Sequence, residues 1–182
     1  DAGRALLPRA RHILAEVREA SESLGRDVDA GLGGLAIGAI PTMAPYLLPP
    51  ALDVLRARYP LGGVTMREDF TERLIEALEG HEIDCALLST PIDHDLLEVE
   101  VLGAEEFLVV VPAGHPAADD RWISLHDVRD QPTVTLEEMH CLGQQIQAFC
   151  SARRLAPRIT CRTTQLSTIL ELVGSGMGLS LV

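Results

Sequence analysis

Three residues in the segment HCLGQQIQAFC have the types and spacing that thiol redox chemistry needs. His140 adjoins Cys141, and Cys150 follows nine residues later. The segment predicts a helix with Cys141 in its first turn, where backbone N–H groups and the helix dipole favour a thiolate. His140 is placed to donate a hydrogen bond to that thiolate or, if protonated, to stabilise it further. The residues therefore predict a nucleophilic thiol at the start of a helix.

A nucleophilic thiolate can be oxidised by a peroxide and then trapped by a second thiol. Attack on the peroxide gives a sulfenic acid, which another thiol converts to a disulfide. Cys150 is the second thiol here, and the hydroxyl of Thr42 or Thr71 could hold a peroxide or a water molecule. The ordinary alternative is that Cys150, beside Phe149, only packs in the core. The spacing alone leaves both interpretations open.

Helical geometry adds a condition to this chemistry. Nine residues at about 100° each place the two thiols on opposite faces of a helix, with Cα atoms roughly 13 Å apart along its axis. A disulfide needs Cα atoms within about 7 Å, so the bond requires the helix to unwind. Gly143 costs about 1 kcal/mol relative to Ala in a helix, which would ease unwinding.

A zinc site from His140, Cys141 and Cys150 lacks a fourth ligand, and we expect neither a metal nor a cofactor.

The remaining cysteines, Cys85 and Cys161, fall in predicted strands, where we expect buried and inert thiols. The chain has 182 residues and a net charge of −12, with 27 acidic residues against 15 basic ones. A net negative charge is unfavourable for binding phosphates, so we do not expect this chain to bind DNA by itself. All 15 basic residues are Arg, which excludes lysine Schiff bases and Walker A loops.

Neither a signal peptide nor a run of eighteen apolar residues is present, so we expect a cytoplasmic protein with no membrane contact. The chain starts with Asp1 and ends in an apolar run, and we expect a fragment of a longer protein. From Leu6 to Leu24, apolar residues alternate at spacings of four and three. This pattern predicts a helix that either forms a coiled-coil seam or packs on its own domain, and both remain open.

Beyond a polar linker, strands and helices alternate in two series, which predicts two α/β units. The first series has strands at 33–42, 64–69 and 84–90, with a helix near 45–59 and another over 71–80 that Thr71 can cap. The second has strands at 107–113, 132–137, 158–164 and 178–182, with helices over 124–128, 140–154 and 166–176. Thr42, Thr71 and His140 each follow a strand, so they could converge on a cleft between two lobes.

The chain resembles LysR-type transcriptional regulators, and among them the OxyR peroxide sensors, over almost its whole length. Three segments carry the resemblance: IGAIPTMAPYLLP, the HCL start and FC end of the cysteine segment with the same nine-residue gap, and TTQLSTILELVGSGMGLSLV. The first segment and the cysteine pair together are specific. They make the redox switch the favoured interpretation.

The resemblance implies an α/β regulatory domain of two Rossmann-like lobes, similar to type II periplasmic binding proteins, with an N-terminal linker helix. Residues 1–28 would form the linker helix, 29–104 lobe I and 105–178 lobe II, and 179–182 would start a return to lobe I. Family members are homo-oligomers, dimers or tetramers, that contact DNA and RNA polymerase through the full-length protein. They are regulators and not enzymes.

By position, Cys141 is similar to the peroxide-reactive cysteine of this family and Cys150 to the resolving one. Thr42, Thr71 and His140 match its hydrogen peroxide pocket. The family pattern Gly-His-Cys-Leu-Arg-Asp is broken here by Met139 and by Gly143-Gln144, which removes a cation beside the reactive thiol. Two alternatives remain: a LysR-type domain that binds a small metabolite and has non-redox cysteines, and a thiol peroxidase that turns over peroxide.

Overall fold

The computed structural model describes residues 2–24 and 34–182, and the chain divides into two compact units, Asp1–Val99 and Glu100–Val182. The predicted linker at 25–33, with the boundary between residues 28 and 29, lies outside the described residues. The predicted lobe boundary at 104 stays a prediction, and the division into compact units falls a few residues before it. Within the described ranges, no helix combines the length and apolar character that crossing a bilayer requires.

The first unit alternates helices and strands, as predicted. Its elements are α1 (Ala2–Leu24), β1 (Gly34–Ala39), α2 (Ala44–Arg58), β2 (Gly63–Glu68), α3 (Thr71–Glu79) and β3 (Cys85–Leu87). The strands form a parallel sheet in the order β2-β1-β3. The central strand packs closely under α3, because a Cβ at Gly38 would lie 2.7 Å from side-chain atoms of both Leu74 and Ile83.

Two predictions for the first unit are wrong in detail. The N-cap of α3 is Phe70 and not Thr71, and no side chain caps this helix; Thr71 is its first residue. Cys85 is exposed, because β3 lies at the edge of the sheet and, among the strands within residues 34–182, pairs with β1 alone. Partial burial and the neighbouring Asp84 carboxylate raise the pKa of the Cys85 thiol.

Three residues of the predicted seam on the first helix lie in solvent. Leu6, Ile13 and Val17 are 63%, 58% and 57% exposed. Two polar contacts join its described residues to the rest of the unit: the His12 and His81 rings lie 3.1 Å apart between ring nitrogens, and Arg11 approaches Glu82. These three seam residues are therefore not packed on the rest of the unit, which favours the coiled-coil alternative.

The second unit also alternates strands and helices. Its elements are β4 (Val109–Val110), α4 (Leu125–Val128), β5 (Pro132–Leu136), α5 (Cys141–Ala152), β6 (Arg158–Thr163), α6 (Leu166–Gly174) and β7 (Ser180–Leu181). The pair β5–β6 is parallel, and the pair β4–β7 is antiparallel. We expected 179–182 to start a return to lobe I, but β7 pairs with β4 inside the second unit.

Two apolar clusters hold the second unit together. One packs Val134 and Leu136 of β5 against Ile169 and Val173 of α6. Cys161, on β6, lies half-buried beside this cluster and is not fully buried as predicted. The other cluster holds the buried face of α5, and its members are Val128, Ile146, Cys150, Leu155, Leu179 and Leu181. Four successive residues of β5, Thr133 to Leu136, are buried, so both faces of this strand are covered.

Candidate functional site

Helix α5 positions both cysteines of the predicted switch. The chain leaves β5 at Leu136, and α5 starts at Cys141, so Cys141 lies in the first turn as predicted. It is half-buried. The first N–H groups of a helix point along its axis without intrahelical acceptors, and together with the dipole they favour a negative charge there. The backbone thus supplies the electrostatic setting that thiolate chemistry requires.

His140 is the N-cap residue of α5, and it is 4% exposed. Burial lowers the pKa of His140, and this effect outweighs a backbone hydrogen bond with Thr164 and the charge of Glu137, which both raise it. The imidazole is therefore held neutral near pH 7. Of its two predicted roles beside Cys141, hydrogen bonding fits this state, and stabilisation of the thiolate by a cation does not.

Cys150 lies on the covered face of the same helix. Its side chain is 6% exposed and packs in the apolar cluster with Ile146 and Leu155. Burial raises the pKa of the Cys150 thiol, so it stays protonated at neutral pH. The core-packing interpretation of Cys150 therefore describes this state correctly, and a resolving role would need the residue to leave the cluster.

The helix between the two cysteines is continuous, and no disulfide joins them. This is the geometry in which opposite helical faces keep the thiols too far apart for a disulfide. The structure therefore represents the state that a redox switch would have before oxidation.

Gly143 has a packing role that the sequence did not reveal. A Cβ added there would overlap the carbonyl oxygen of Glu137 and lie 3.3 Å from that of Leu136. Glycine thus lets the first turn of α5 lie directly on the backbone that leaves β5. Its low helix propensity is only part of its effect, because it also permits the close contact that holds the folded helix in place.

A set of hydrogen bonds centred on Glu138 fastens the loop before α5 to the helix. Gln144 Nε2 donates to the Glu138 carbonyl oxygen at 2.9 Å, and Gln147 Nε2 donates to Glu138 Oε1 at 3.1 Å. Arg162 of β6 approaches the same carboxylate oxygen at 3.7 Å. We call Glu138, Gln144, Gln147 and Arg162 the Glu138 clasp. Sequence reasoning missed it, although the i,i+3 spacing of the two glutamines on one helix face is a usable signal.

The two predicted threonines lie at one edge of the first sheet. Strands β1 and β2 are parallel neighbours, with Ala39 opposite Glu68 at their carboxyl ends. Thr42 follows β1 and is half-buried, and Thr71 starts α3 after β2 and is buried. The structure therefore brings Thr42 and Thr71 to the same edge. His140 belongs to the second unit, and its convergence with the threonines stays a prediction.

No group of three or more His, Cys, Asp or Glu side chains suited to a metal ion occurs within residues 2–24 and 34–182. The site is instead two thiols, a buried imidazole and a helix N-terminus. These groups can support oxidation of the two thiols. The helix is the element whose conformation would change.

Comparison with known proteins places the chain in a family. The LysR substrate binding domain family matches residues 30–182. The hydrogen peroxide-inducible genes activator of Dickeya chrysanthemi is 30% identical over 181 residues, which is 100% of this chain and 59% of that protein. The DNA-binding transcriptional dual regulator OxyR of Escherichia coli K12 is 29% identical, with the same coverage. The chain thus spans about three fifths of the length of these curated relatives.

A solved structure gives the same result. The reduced form of the OxyR regulatory domain from Pseudomonas aeruginosa is similar with a TM-score of 0.73 and 28% sequence identity, over 84% of this chain and 73% of that one. Such neighbours confirm the predicted fold class, a two-lobed α/β regulatory domain like type II periplasmic binding proteins. The chain belongs to the LysR substrate binding domain family, as the regulatory domain of a LysR-type regulator with OxyR-like relatives.

Proposed function

We propose that this chain is the hydrogen-peroxide-sensing regulatory domain of a LysR-type transcription factor, switched by a disulfide between Cys141 and Cys150. The observation that carries the proposal is the placement of both cysteines on one continuous helix, with Cys141 at its N-terminus and Cys150 in the core. The relatives named as hydrogen peroxide-inducible activators support it. Helix refolding then makes the bond a conformational signal.

The proposed reaction has two steps. The Cys141 thiolate attacks one peroxide oxygen, so an S–O bond forms and the O–O bond breaks. The other oxygen leaves as hydroxide, which takes up a proton and becomes water. Cys141 is then a sulfenic acid. The Cys150 sulfur attacks the Cys141 sulfur, the S–S bond forms, and the S–O bond breaks to release a second water. The two thiols lose two electrons, and the peroxide gains them.

In this proposal Thr42, Thr71 and His140 bind the peroxide. The neutral His140 imidazole has one N–H donor and one acceptor nitrogen, and the two threonine hydroxyls donate and accept. The oxidised domain would change the contacts of a homo-oligomer, and the full-length protein would pass that change to DNA and RNA polymerase. The role is regulatory, and one oxidation event serves as the signal without turnover.

Mass spectrometry tests the disulfide directly. In a Cys85→Ser/Cys161→Ser background, only the two proposed cysteines remain. Trypsin leaves Cys141 and Cys150 in one peptide, residues 130–153, because no Lys or Arg separates them. Stoichiometric hydrogen peroxide should remove two hydrogens from that peptide without adding oxygen. Chymotrypsin, which cuts after Leu142 and Phe149, should leave its fragments joined until a reductant is added.

The secondary structure provides an independent readout. Far-UV circular dichroism should lose helix signal on oxidation, and dithiothreitol should restore it. A Cys150→Ser variant should stop at the sulfenic acid, which dimedone traps, and should keep its helix. Absence of the Cys141–Cys150 link after peroxide treatment would contradict the proposal. If the protein instead shows a thermal shift with small carboxylates, that result would support the metabolite-binding alternative. Sustained peroxide turnover with a reductant would indicate a peroxidase.

A further inference from the structure

A cavity of about 180 Å³ lies in the second unit under the covered face of α5. Its apolar lining comes from Leu136, Ile146, Cys150, Leu155, Ile159 and Leu181. We call it the α5 cavity. An apolar cavity of about 150 Å³ is large enough to bind benzene, so this one has room for a single aromatic ring.

The polar groups of the α5 cavity are divided between its inner wall and its open side. Thr133 and Thr135 are buried, and their hydroxyls donate to the carbonyl oxygens of Gln131 and Leu136. The inner wall therefore offers few further hydrogen-bond donors. Glu138 and Arg162 are half exposed, so they lie at the solvent side. A ligand would place its ring inside and its polar end toward them.

The charges at the open side select a neutral ligand. The Arg162 guanidinium and the Glu138 carboxylate approach each other at 3.7 Å and compensate one another. A carboxylate ligand would have to displace Glu138, and an ammonium would have to displace Arg162. A hydroxyl or an amide instead can donate to Glu138 or accept from Gln147, without the desolvation cost of a charge.

We infer that the α5 cavity is a second effector site for a small neutral aromatic molecule of phenol size, and that its occupant holds α5 in the helical, reduced state. The second half of this inference rests on the proposed disulfide switch. Five lining residues belong to α5, and they are Gly143, Ile146, Gln147, Cys150 and Ser151. The cavity exists only while that helix is folded and Cys150 forms its wall. A ligand that binds one state and not the other shifts the equilibrium toward the state it binds.

Phenol titration tests the site apart from the switch. Phenol should raise the Tm of the reduced protein and of a Cys141→Ser variant, which cannot form the disulfide. An Ile159→Phe variant should fill the cavity and lose the response. Leu170→Phe is the matched control, because Leu170 is an exposed leucine on α6 away from the lining, and it should keep the response. No Tm shift, or an equal shift in Ile159→Phe, overturns the inference while the peroxide-driven disulfide is unaffected.

Two rates measured on the unsubstituted chain avoid any dependence on variant folding. Phenol at ten times its Kd should slow peroxide-driven Cys141–Cys150 bond formation by about eleven-fold, by simple linkage. It should also slow alkylation of Cys150 by iodoacetamide, measured on the chymotryptic fragment that begins at Cys150. Unchanged rates in the presence of bound phenol would overturn its coupling to the helix. A Tm response with no disulfide under any condition would instead contradict the proposed function and leave the cavity site standing.

Discussion

The backbone of Gly143 lies directly against the carbonyl group of Glu137, with no space between them for a methyl group. This contact joins the first turn of α5 to the chain that leaves β5. It makes the folded helix dependent on one residue without a side chain. The same residue occupies the place where the resemblance implies an arginine, so in the proposed switch local packing would take the place of a charge.

A Gly143→Ala substitution should destabilise the reduced state. Its methyl group would overlap the Glu137 carbonyl, and overpacking of this kind costs about 1–3 kcal/mol. If oxidation requires an unwound helix, each 1.4 kcal/mol lost by the helical form raises the unwound population about tenfold. We therefore expect a lower Tm and faster disulfide formation, measured by thermal unfolding and quenched-flow mass spectrometry.

Gly174→Ala is the matched control for that experiment. Gly174 ends α6 in the same unit, and a Cβ there would meet no atom within 4 Å. Replacement of a compatible glycine by alanine should be neutral or stabilise the protein by about 0.4–1 kcal/mol. A lower Tm in Gly143→Ala without faster oxidation would separate packing from the switch and contradict the expected coupling.

The Glu138 clasp should set how readily α5 unwinds. Glu138→Ala removes the acceptor of the Gln147 hydrogen bond and the partner of Arg162. Because these groups are about half exposed, the loss of stability should be less than about 1 kcal/mol. Disulfide formation should become up to about fivefold faster, since 1 kcal/mol corresponds to that factor. Glu171→Ala, at an exposed glutamate on α6, should leave the rate unchanged.

The sequence was sufficient for the order of the elements and for the placement of both cysteines on one helix. The start of α5 at Cys141 follows from the end of an apolar strand, and its continuity through Cys150 follows from the apolar spacing. It was not sufficient for Cys85, because the apolar run that predicts a buried strand does not show that β3 is an edge. The Gly143 contact and the α5 cavity depend on how α5 sits on β5, which no local pattern specifies.

The stability of the reduced domain should fall in acid because of His140. Burial lowers the pKa of His140 below its ordinary value of 6.5. The unfolded chain therefore binds a proton at a pH where the folded chain does not. The stabilisation from this residue is complete above pH 6.5 and is lost as the pH falls toward the lowered pKa.

The expected result is a Tm that decreases between pH 7 and pH 5, with part of the slope absent in His140→Gln. The quantity to compare is the slope of Tm against pH and not Tm itself, because the substitution also changes packing at a buried position. His126→Gln is the control, since His126 is exposed on α4, and it should keep the full slope. A His140→Gln variant with an unchanged slope would show that other groups cause the acid sensitivity. Measurements should stay below pH 8, where the Cys150 thiol, with its raised pKa, remains protonated.

The two switch cysteines should differ in reactivity while α5 is folded. Cys141 is half-buried at the helix start, and Cys150 is 6% exposed with a pKa raised by burial. Alkylation of Cys150 therefore requires local opening of the structure around it. An opening free energy of about 1.4 kcal/mol by itself makes alkylation tenfold slower than for an accessible thiol. In the Cys85→Ser/Cys161→Ser background, iodoacetamide should modify Cys141 first in native buffer and both cysteines at similar rates in urea.

Gly143→Ala should speed the modification of Cys150 selectively, because it weakens the helix that keeps this thiol in the core. Equal rates in native buffer would contradict the buried position of Cys150 and remove the physical basis for a helix that must unwind before the disulfide can form.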